Sequence, residues 1–237
     1  MFRKTLGATA LALAFVTTPL FAGPFAEFES QLRGAYSAYR AALFQTNMGD
    51  AEKTGKAMKG FEMKWAALRQ NWANPVPPQY ADDAGFMATL DKVAAIHAEA
   101  GKHVAAGELG EAHEVLEEIR EELGALHLRN GLYTFSDRMN AYHAKMEEVL
   151  LTDYAAMGDK ALGDLRAKAA VLAYLATDIA ANPAPEQGDP AYAPLVQALQ
   201  ASVTSLEDAV TAGDLPAALK AAKSLKKPFA KLFVKFG

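Results

Sequence analysis

Apolar residues recur every three or four positions along almost all of the chain after residue 24. That spacing places them on one side of an α-helix, whereas the strict alternation that is typical of strands is nearly absent. Four such series precede the middle of the chain, and they begin at Phe25, Met58, Phe86 and Leu109. The pattern predicts an all-α protein in which each helix buries one apolar stripe.

Short segments rich in Gly, Pro and Asn separate the predicted helices. In the first half they are Asn47–Asp50, Asn74–Pro78, Ala106–Gly107 and Asn130–Gly131. Two of these motifs return in the second half: Ala-Asn-Pro of 73–75 recurs at 181–183, and Ala-Gly-Glu-Leu of 106–109 returns as Ala-Gly-Asp-Leu at 212–215. The repetition predicts two tandem antiparallel four-helix bundles, over residues 23–131 and 132–237.

Two local features of the second half lead to further predictions. Thr134 is followed three residues later by Asp137, a spacing that favours a cap at the start of a helix. Pro228 lies within the last predicted helix and is expected to kink or end it, because proline has no N–H to donate.

Residues 1–22 have the composition of a secretory signal peptide. Arg3 and Lys4 precede an apolar stretch from Leu6 to Val16, and small residues follow up to Ala22. The apolar stretch is short for a membrane span. We therefore expect export, cleavage near Ala22 and a soluble mature protein in a bacterial periplasm.

Charge and cysteine content exclude several classes of function. The formal net charge is −4 and becomes more negative when Arg3 and Lys4 are removed, which disfavours nucleic acid as a partner. The chain contains no cysteine, so disulfides, thiolate metal sites and covalent c-type haem attachment are ruled out.

The hairpin of the third and fourth predicted helices suggests a family. It contains Gly107-Glu108-Leu109-Gly110-Glu111-Ala112 at its turn and Leu126-His127-Leu128-Arg129 near its end. Each half of the chain, in this pattern, resembles the c-prime-type cytochromes and the soluble b-type cytochrome of the same four-helix fold. The resemblance implies that His127 is at the position of the axial haem ligand, and that Leu123 and Leu126 replace the cysteines of the c-type members.

The resemblance also implies that neither half has a complete b-type haem site. The matching position in the second half is Phe233. The b-type relative takes its second ligand from a methionine near the start of the first helix, where the second half has Met139 without a histidine of its own. The corresponding positions of the first half are Phe25, Phe28 and Leu32. The form of haem binding that remains compatible with this resemblance is a five-coordinate haem, with His127 as its one axial ligand.

All five histidines lie between residues 97 and 143. Folding at Gly107 is expected to bring His97 near Glu117 or Arg120, and His103 near His113. The i,i+4 pair of His113 and Glu117 can hold a divalent ion, and it can equally form a solvated pair. For His97 the alternative is that it is a residue of the core, with one ring nitrogen hydrogen-bonded.

Beyond the break at Asn130–Gly131, a set of four residues has a spacing that places them on one face of a helix. Imidazole and thioether donors at i, i+4 and i+7 suit copper, and a carboxylate follows the histidine by four. His127 and Met139 lie on either side of the break and are expected to approach one another. The alternative is that the methionines fill the core. The four residues are Met139, His143, Met146 and Glu147.

Known enzyme motifs are absent from the sequence. The run from His113 to Glu117 lacks the second histidine of the zinc-protease motif, and paired Glu-x-x-His motifs of di-iron bundles do not occur. Neither a Gly-rich phosphate loop nor a nucleophile elbow is found. We therefore do not expect an enzyme.

Two predicted helices have faces of opposite charge. The fourth helix is rich in glutamate, and the last helix is rich in lysine. These are either solvated faces or surfaces that attract each other, between the two halves or between the two chains of a homodimer.

The leading hypothesis is a periplasmic protein that binds a transition metal ion, copper or iron, and exchanges it with a periplasmic or membrane transport or redox partner. A b-type haem protein with His127 as axial ligand is one alternative, and a cofactor-free helical scaffold or interaction module is another. The candidate metal ligands are His97, His103, His113, Glu117, His127, Met139, His143, Met146 and Glu147.

Overall fold

The computed structural model describes residues 23–237, and this part of the chain is helical without any strand. The prediction of an all-α protein is therefore confirmed. Short 3₁₀ turns occur at Pro78–Tyr80 and Gly158–Lys160. The helices are α1 (Pro24–Asn47), α2 (Ala51–Asn71), α3 (Phe86–Ala106), α4 (Leu109–Arg129), α5 (Phe135–Leu151), α6 (Ala161–Ala181), α7 (Tyr192–Thr211), α8 (Leu215–Ser224) and α9 (Lys226–Phe236).

The predicted breaks coincide with the ends of helices. Asp50 caps α2 by accepting a hydrogen bond from the backbone N–H of Lys53. Gly107 ends α3 in the left-handed conformation, with φ of +80°, and Gly213 has φ of +76° in the matching turn of the second half. Glycine adopts this conformation without the steric cost of a side chain, which explains why both turns have it.

Contacts between helices connect neighbours in the chain and also join the two halves. In the first half, α1 packs against α2 and α4, and α3 packs against the same two helices. In the second half, α7 packs against α6, α8 and α9, and α5 packs against α6 and α9. The halves meet where α1 contacts α9, and there Arg40 donates to the carbonyls of Val234 and Lys235.

The predicted apolar stripes form the core. The aromatic and aliphatic residues of α2 that were expected to face inward are all buried, and Trp65 donates from its indole to the carbonyl of Leu90. Phe25 is an exception, because 49% of its surface is exposed at the start of α1. One continuous set of buried side chains extends through both halves of the described chain.

The last predicted helix is interrupted at Leu225, between α8 and α9. Pro228 is the third residue of α9, so it has no N–H to donate to the carbonyl of Ser224, where α8 ends. The prediction that Pro228 interrupts this helix is confirmed.

The signal-peptide prediction concerns residues 1–22, which lie outside the described residues. Within residues 23–237, every helix is too short or too polar to cross a membrane.

Candidate functional site

Two histidine–glutamate pairs converge where α4 packs near α5. Each pair is spaced i,i+4, so its two side chains share one face of a helix. His113 Nε2 is 3.3 Å from Glu117 Oε1 on α4, and His143 Nε2 is 3.3 Å from Glu147 Oε1 on α5. We call these four residues the junction cluster, because α4 and α5 flank the break between the two halves.

The tautomer of His113 follows from its neighbour on α1. Thr46 donates its hydroxyl proton to the carbonyl of Leu43 at 2.7 Å, so its oxygen accepts from His113 Nδ1, which is also 2.7 Å away. In neutral His113 the proton is then on Nδ1, and Nε2 carries a lone pair. The Asn47 amide, 3.3 Å away, can donate to this lone pair, and Glu117 Oε1 lies at the same distance. A cation bound between Nε2 and Glu117 would replace the contact with Asn47.

His143 is enclosed on the other side of the junction cluster. Its ring stacks on Phe229 of α9 with centroids 5.1 Å apart, and its Nδ1 is buried without a hydrogen-bond partner in the described chain. Burial, followed by the charge of Arg120, lowers the pKa of His143 to about 4. The imidazole is therefore neutral at pH 7, which is the form that ligates metals.

Glu117 connects the two pairs. One ligand atom from each of Glu117, His143 and Glu147 can be chosen so that all three lie within 4.8 Å of one another. Ligands on opposite sides of an ion with bonds of about 2.1 Å are at most about 4.2 Å apart. The three groups would therefore have to move closer together to close on one ion, and His113 lies next to Glu117 but outside this set of three.

Positive charge already present at the junction cluster acts on its carboxylates. Burial by itself would raise the pKa of Glu117, but His113, which can donate to this carboxylate only when both of its ring nitrogens carry a proton, and the guanidinium of Arg120 outweigh burial and lower that pKa. Arg120 Nη1 is 3.0 Å from Glu117 Oε1. Burial and the nearby charge of Glu117 raise the pKa of Glu147. Two carboxylates at close range favour a cation that neutralises both.

A small cavity of about 60 Å³ adjoins the junction cluster and is lined by His113, Glu117, His143 and Met146. A cation needs such space beside its ligands, together with room for water. The oxygen and imidazole donors suit divalent iron, zinc or copper better than Cu(I), which prefers sulfur.

Two predicted histidine approaches are wrong. His97 turns toward α2 and away from Glu117 and Arg120, because its Nε2 hydrogen-bonds the carbonyl of Met58 at 3.0 Å and its ring packs against Phe61. His103 pairs with Glu108 at 2.8 Å, a residue of its own turn, instead of approaching His113.

The structure also separates His127 from the methionines of α5. His127 Nδ1 is 2.9 Å from a carboxylate oxygen of Asp137, and the same carboxylate accepts from Thr134 in a capping box. The predicted cap at Thr134 is confirmed. Met139 and Met146 are buried, in agreement with the alternative prediction that these methionines fill the core. The junction brings α4 and α5 residues together at two places, where His127 meets Asp137 and where Glu117 approaches His143 and Glu147.

The surroundings of His127 do not fit a haem as they are arranged. Asp137 holds Nδ1, so an iron would have to bind Nε2. Nε2 is enclosed by protein atoms and has no hydrogen-bond partner in the described chain. A porphyrin needs an open face at the ligating nitrogen. His127 lines a cavity of about 590 Å³, but its Nε2 is buried, so ligation of haem would require neighbouring side chains to move.

Sequence reasoning named Glu117 as a candidate ligand, beside His113 and near His97, but did not predict its approach to His143 and Glu147. Thr46 and Arg120 were not assigned a role at the site. The only sequence signal for the convergence is that a histidine followed four residues later by glutamate occurs at both 113–117 and 143–147.

The comparisons with known proteins add no relative. No family model matches the chain, and searches of the curated proteins and of the solved structures found no match.

Proposed function

We propose that this protein binds a divalent transition metal ion, iron or copper, at the junction cluster. The observation that carries the proposal is the convergence of Glu117 from α4 with His143 and Glu147 from α5. His113 Nε2 would be the fourth ligand, because its other nitrogen is held by Thr46. Such a support fixes the orientation of a ligating imidazole.

The proposal includes the cellular setting that the sequence favours. A leader over residues 1–22 would deliver the chain to the periplasm, where it would hold the ion and pass it to a transport or redox partner. The fold would comprise two four-helix bundles, 23–131 and 132–237, with the metal between them. The glycine turns at Gly107 and Gly213, both with positive φ, support this repeat.

Metal titration of the mature protein tests the proposal. We expect about one Fe(II) or Cu(II) per chain by calorimetry and elemental analysis. Glu147→Gln keeps the size of the side chain but removes a charged ligand, and we expect it to weaken binding by on the order of 100-fold. His103→Ala is the matched control, because His103 pairs only with nearby glutamates.

Three outcomes would contradict the proposal. If Glu147→Gln and His103→Ala weakened metal binding equally, the ion would be bound by surface groups and not at the junction cluster. A Soret band with added haem, lost in His127→Ala, would favour the b-type haem alternative instead. A chain that binds neither metal nor haem would be the cofactor-free scaffold.

A further inference from the structure

A second and larger cavity lies between the two halves, on the other side of Arg120 from the junction cluster. Its volume is about 590 Å³, and its walls come from α1, α4, the start of α5, the segment after α6 and α9. We call it the junction cavity. Its volume is within the range of about 300–1,000 Å³ that is usual for sites of small organic ligands.

The wall of the junction cavity is mainly apolar and rich in aromatic rings. The rings belong to Phe25, Tyr36, Tyr133, Phe135 and Phe236. Half of the surface of Phe25 and of Tyr133 is exposed. Exposed aromatic side chains beside a concave surface indicate a site that an apolar ligand would cover.

Three guanidinium groups and two carboxylates line the same cavity. The carboxylates are already engaged, because Asp137 accepts from His127 and Thr134, and Glu29 accepts from Gln79 at 2.9 Å. Asp137 is therefore largely saturated, whereas Glu29 keeps acceptor capacity, and the three guanidinium groups exceed the two carboxylates by one charge. The three arginines are Arg33, Arg120 and Arg138.

Two of these arginines retain donors for an anion, whereas Arg138 is engaged by Asp178 and by the carbonyls of Tyr133 and Thr134. Arg33 uses only its Nε, toward Glu186 at 3.2 Å, and its terminal amino groups make no hydrogen bond within residues 23–237. Within the same residues, the guanidinium of Arg120 has one polar partner, Glu117, which its Nη1 contacts. Guanidinium groups with unused N–H donors bind carboxylates through charge-assisted hydrogen bonds.

We propose that the junction cavity binds an organic carboxylate with an apolar, ring-containing body. The aromatic wall would cover the body, and Arg33 and Arg120 would hold the carboxylate. This site is distinct from the junction cluster and requires no metal ion.

A fluorescent pair of ligands tests this proposal. Pyrenebutyrate has an aromatic body and a carboxylate, and pyrenebutanol has the same body with a neutral alcohol. We expect the mature protein to bind pyrenebutyrate about tenfold more tightly or better, since a hydrogen bond to a charged group is worth more than a neutral one. Arg33→Gln should remove most of this preference and leave pyrenebutanol binding unchanged.

A cavity-filling variant locates the binding. Ala26 is exposed and lines the junction cavity, so Ala26→Trp should block it without disturbing the core. Ala170, an exposed residue of α6 that does not line the cavity, provides the control Ala170→Trp. We expect binding of pyrenebutyrate to be lost in the first variant and retained in the second.

The proposal is overturned if pyrenebutanol binds as tightly as pyrenebutyrate, or if Ala26→Trp binds like the parent protein. Haem is itself a ring-containing carboxylate, so displacement of pyrenebutyrate by haem, together with a Soret band that depends on His127, would overturn the statement that the site requires no metal ion and would favour the b-type haem alternative. Circular dichroism of each variant shows whether a loss of binding reflects a loss of folding.

Discussion

His97 shows how burial determines the chemistry of a single residue. It has the residue type of a metal ligand, but its ring is packed between α3 and α2 and its Nε2 donates to a carbonyl. Desolvation lowers its pKa below the ordinary value, although the hydrogen bond to Met58 acts in the opposite direction. A histidine of this kind contributes to stability through its neutral form.

This burial leads to a prediction about pH. The unfolded chain takes up a proton on His97 near pH 6.5, whereas the folded chain does so only at lower pH. The unfolded state therefore binds more protons as pH falls from 7 to 5, and the free energy of unfolding decreases. We expect His97→Gln, which keeps a donor for Met58, to reduce this decrease by on the order of 1 kcal/mol.

Urea unfolding of the metal-free protein at pH 7 and pH 5 measures the effect. The other four histidines are the same in both proteins, so the comparison of the two pH differences isolates His97. A variant whose stability changes with pH as much as that of the parent protein would show that His97 does not titrate in this range.

At the level of elements, the start of α5 links local and long-range structure. Thr134 and Asp137 form a capping box, and Asp137 also accepts from His127 at the end of α4. The cap therefore stabilises the start of α5 and also binds the end of α4 through His127. Its sequence pattern predicted the cap, but the contact with His127 requires the chain to turn at Gly131.

Thr134→Ala tests the contribution of this cap. The variant leaves a backbone N–H of α5 without its side-chain acceptor and removes one donor from Asp137. We expect a loss of about 1–2 kcal/mol in the free energy of unfolding, typical of N-cap replacement.

Thr177→Ala is the control for this prediction, because Thr177 is exposed within α6 and its hydroxyl bonds only the carbonyl of Ala173. The control should change stability by less than about 0.5 kcal/mol. Equal effects of the two substitutions would mean that the capping box adds nothing specific.

At the level of the whole molecule, Arg120 lines both the cavity of the junction cluster and the junction cavity. It is held beside Glu117 by an ion pair, so it competes with a metal ion for that carboxylate. An anion in the junction cavity would compete with Glu117 for Arg120. Ligands at the two sites should therefore favour each other's binding, and by the same factor in both directions.

Calorimetric titrations of Fe(II) with and without pyrenebutyrate measure this coupling. We expect a gain in metal affinity of about five- to tenfold, as is common for coupled sites. In Arg120→Gln the metal should bind more tightly than in the parent protein, and pyrenebutyrate should no longer change its affinity. Affinities that are independent of each other in the parent protein would contradict a shared role for Arg120.

The sequence by itself determined the helices, their breaks and the two histidine–glutamate pairs. These features depend on the period of apolar residues and on the backbone preferences of Gly, Pro and Asp, which act over a few positions. For the same reason the cap at Thr134 and the interruption by Pro228 were predictable.

Only the tertiary structure decided which functional groups meet. Glu117 and Glu147 lie 30 positions apart in the sequence, and the packing of the helices brings them together, while His97 lies against α2 and His127 against Asp137. This arrangement depends on contacts between different helices, such as Phe229 of α9 against His143 of α5. Residue spacing within one helix contains no information about it.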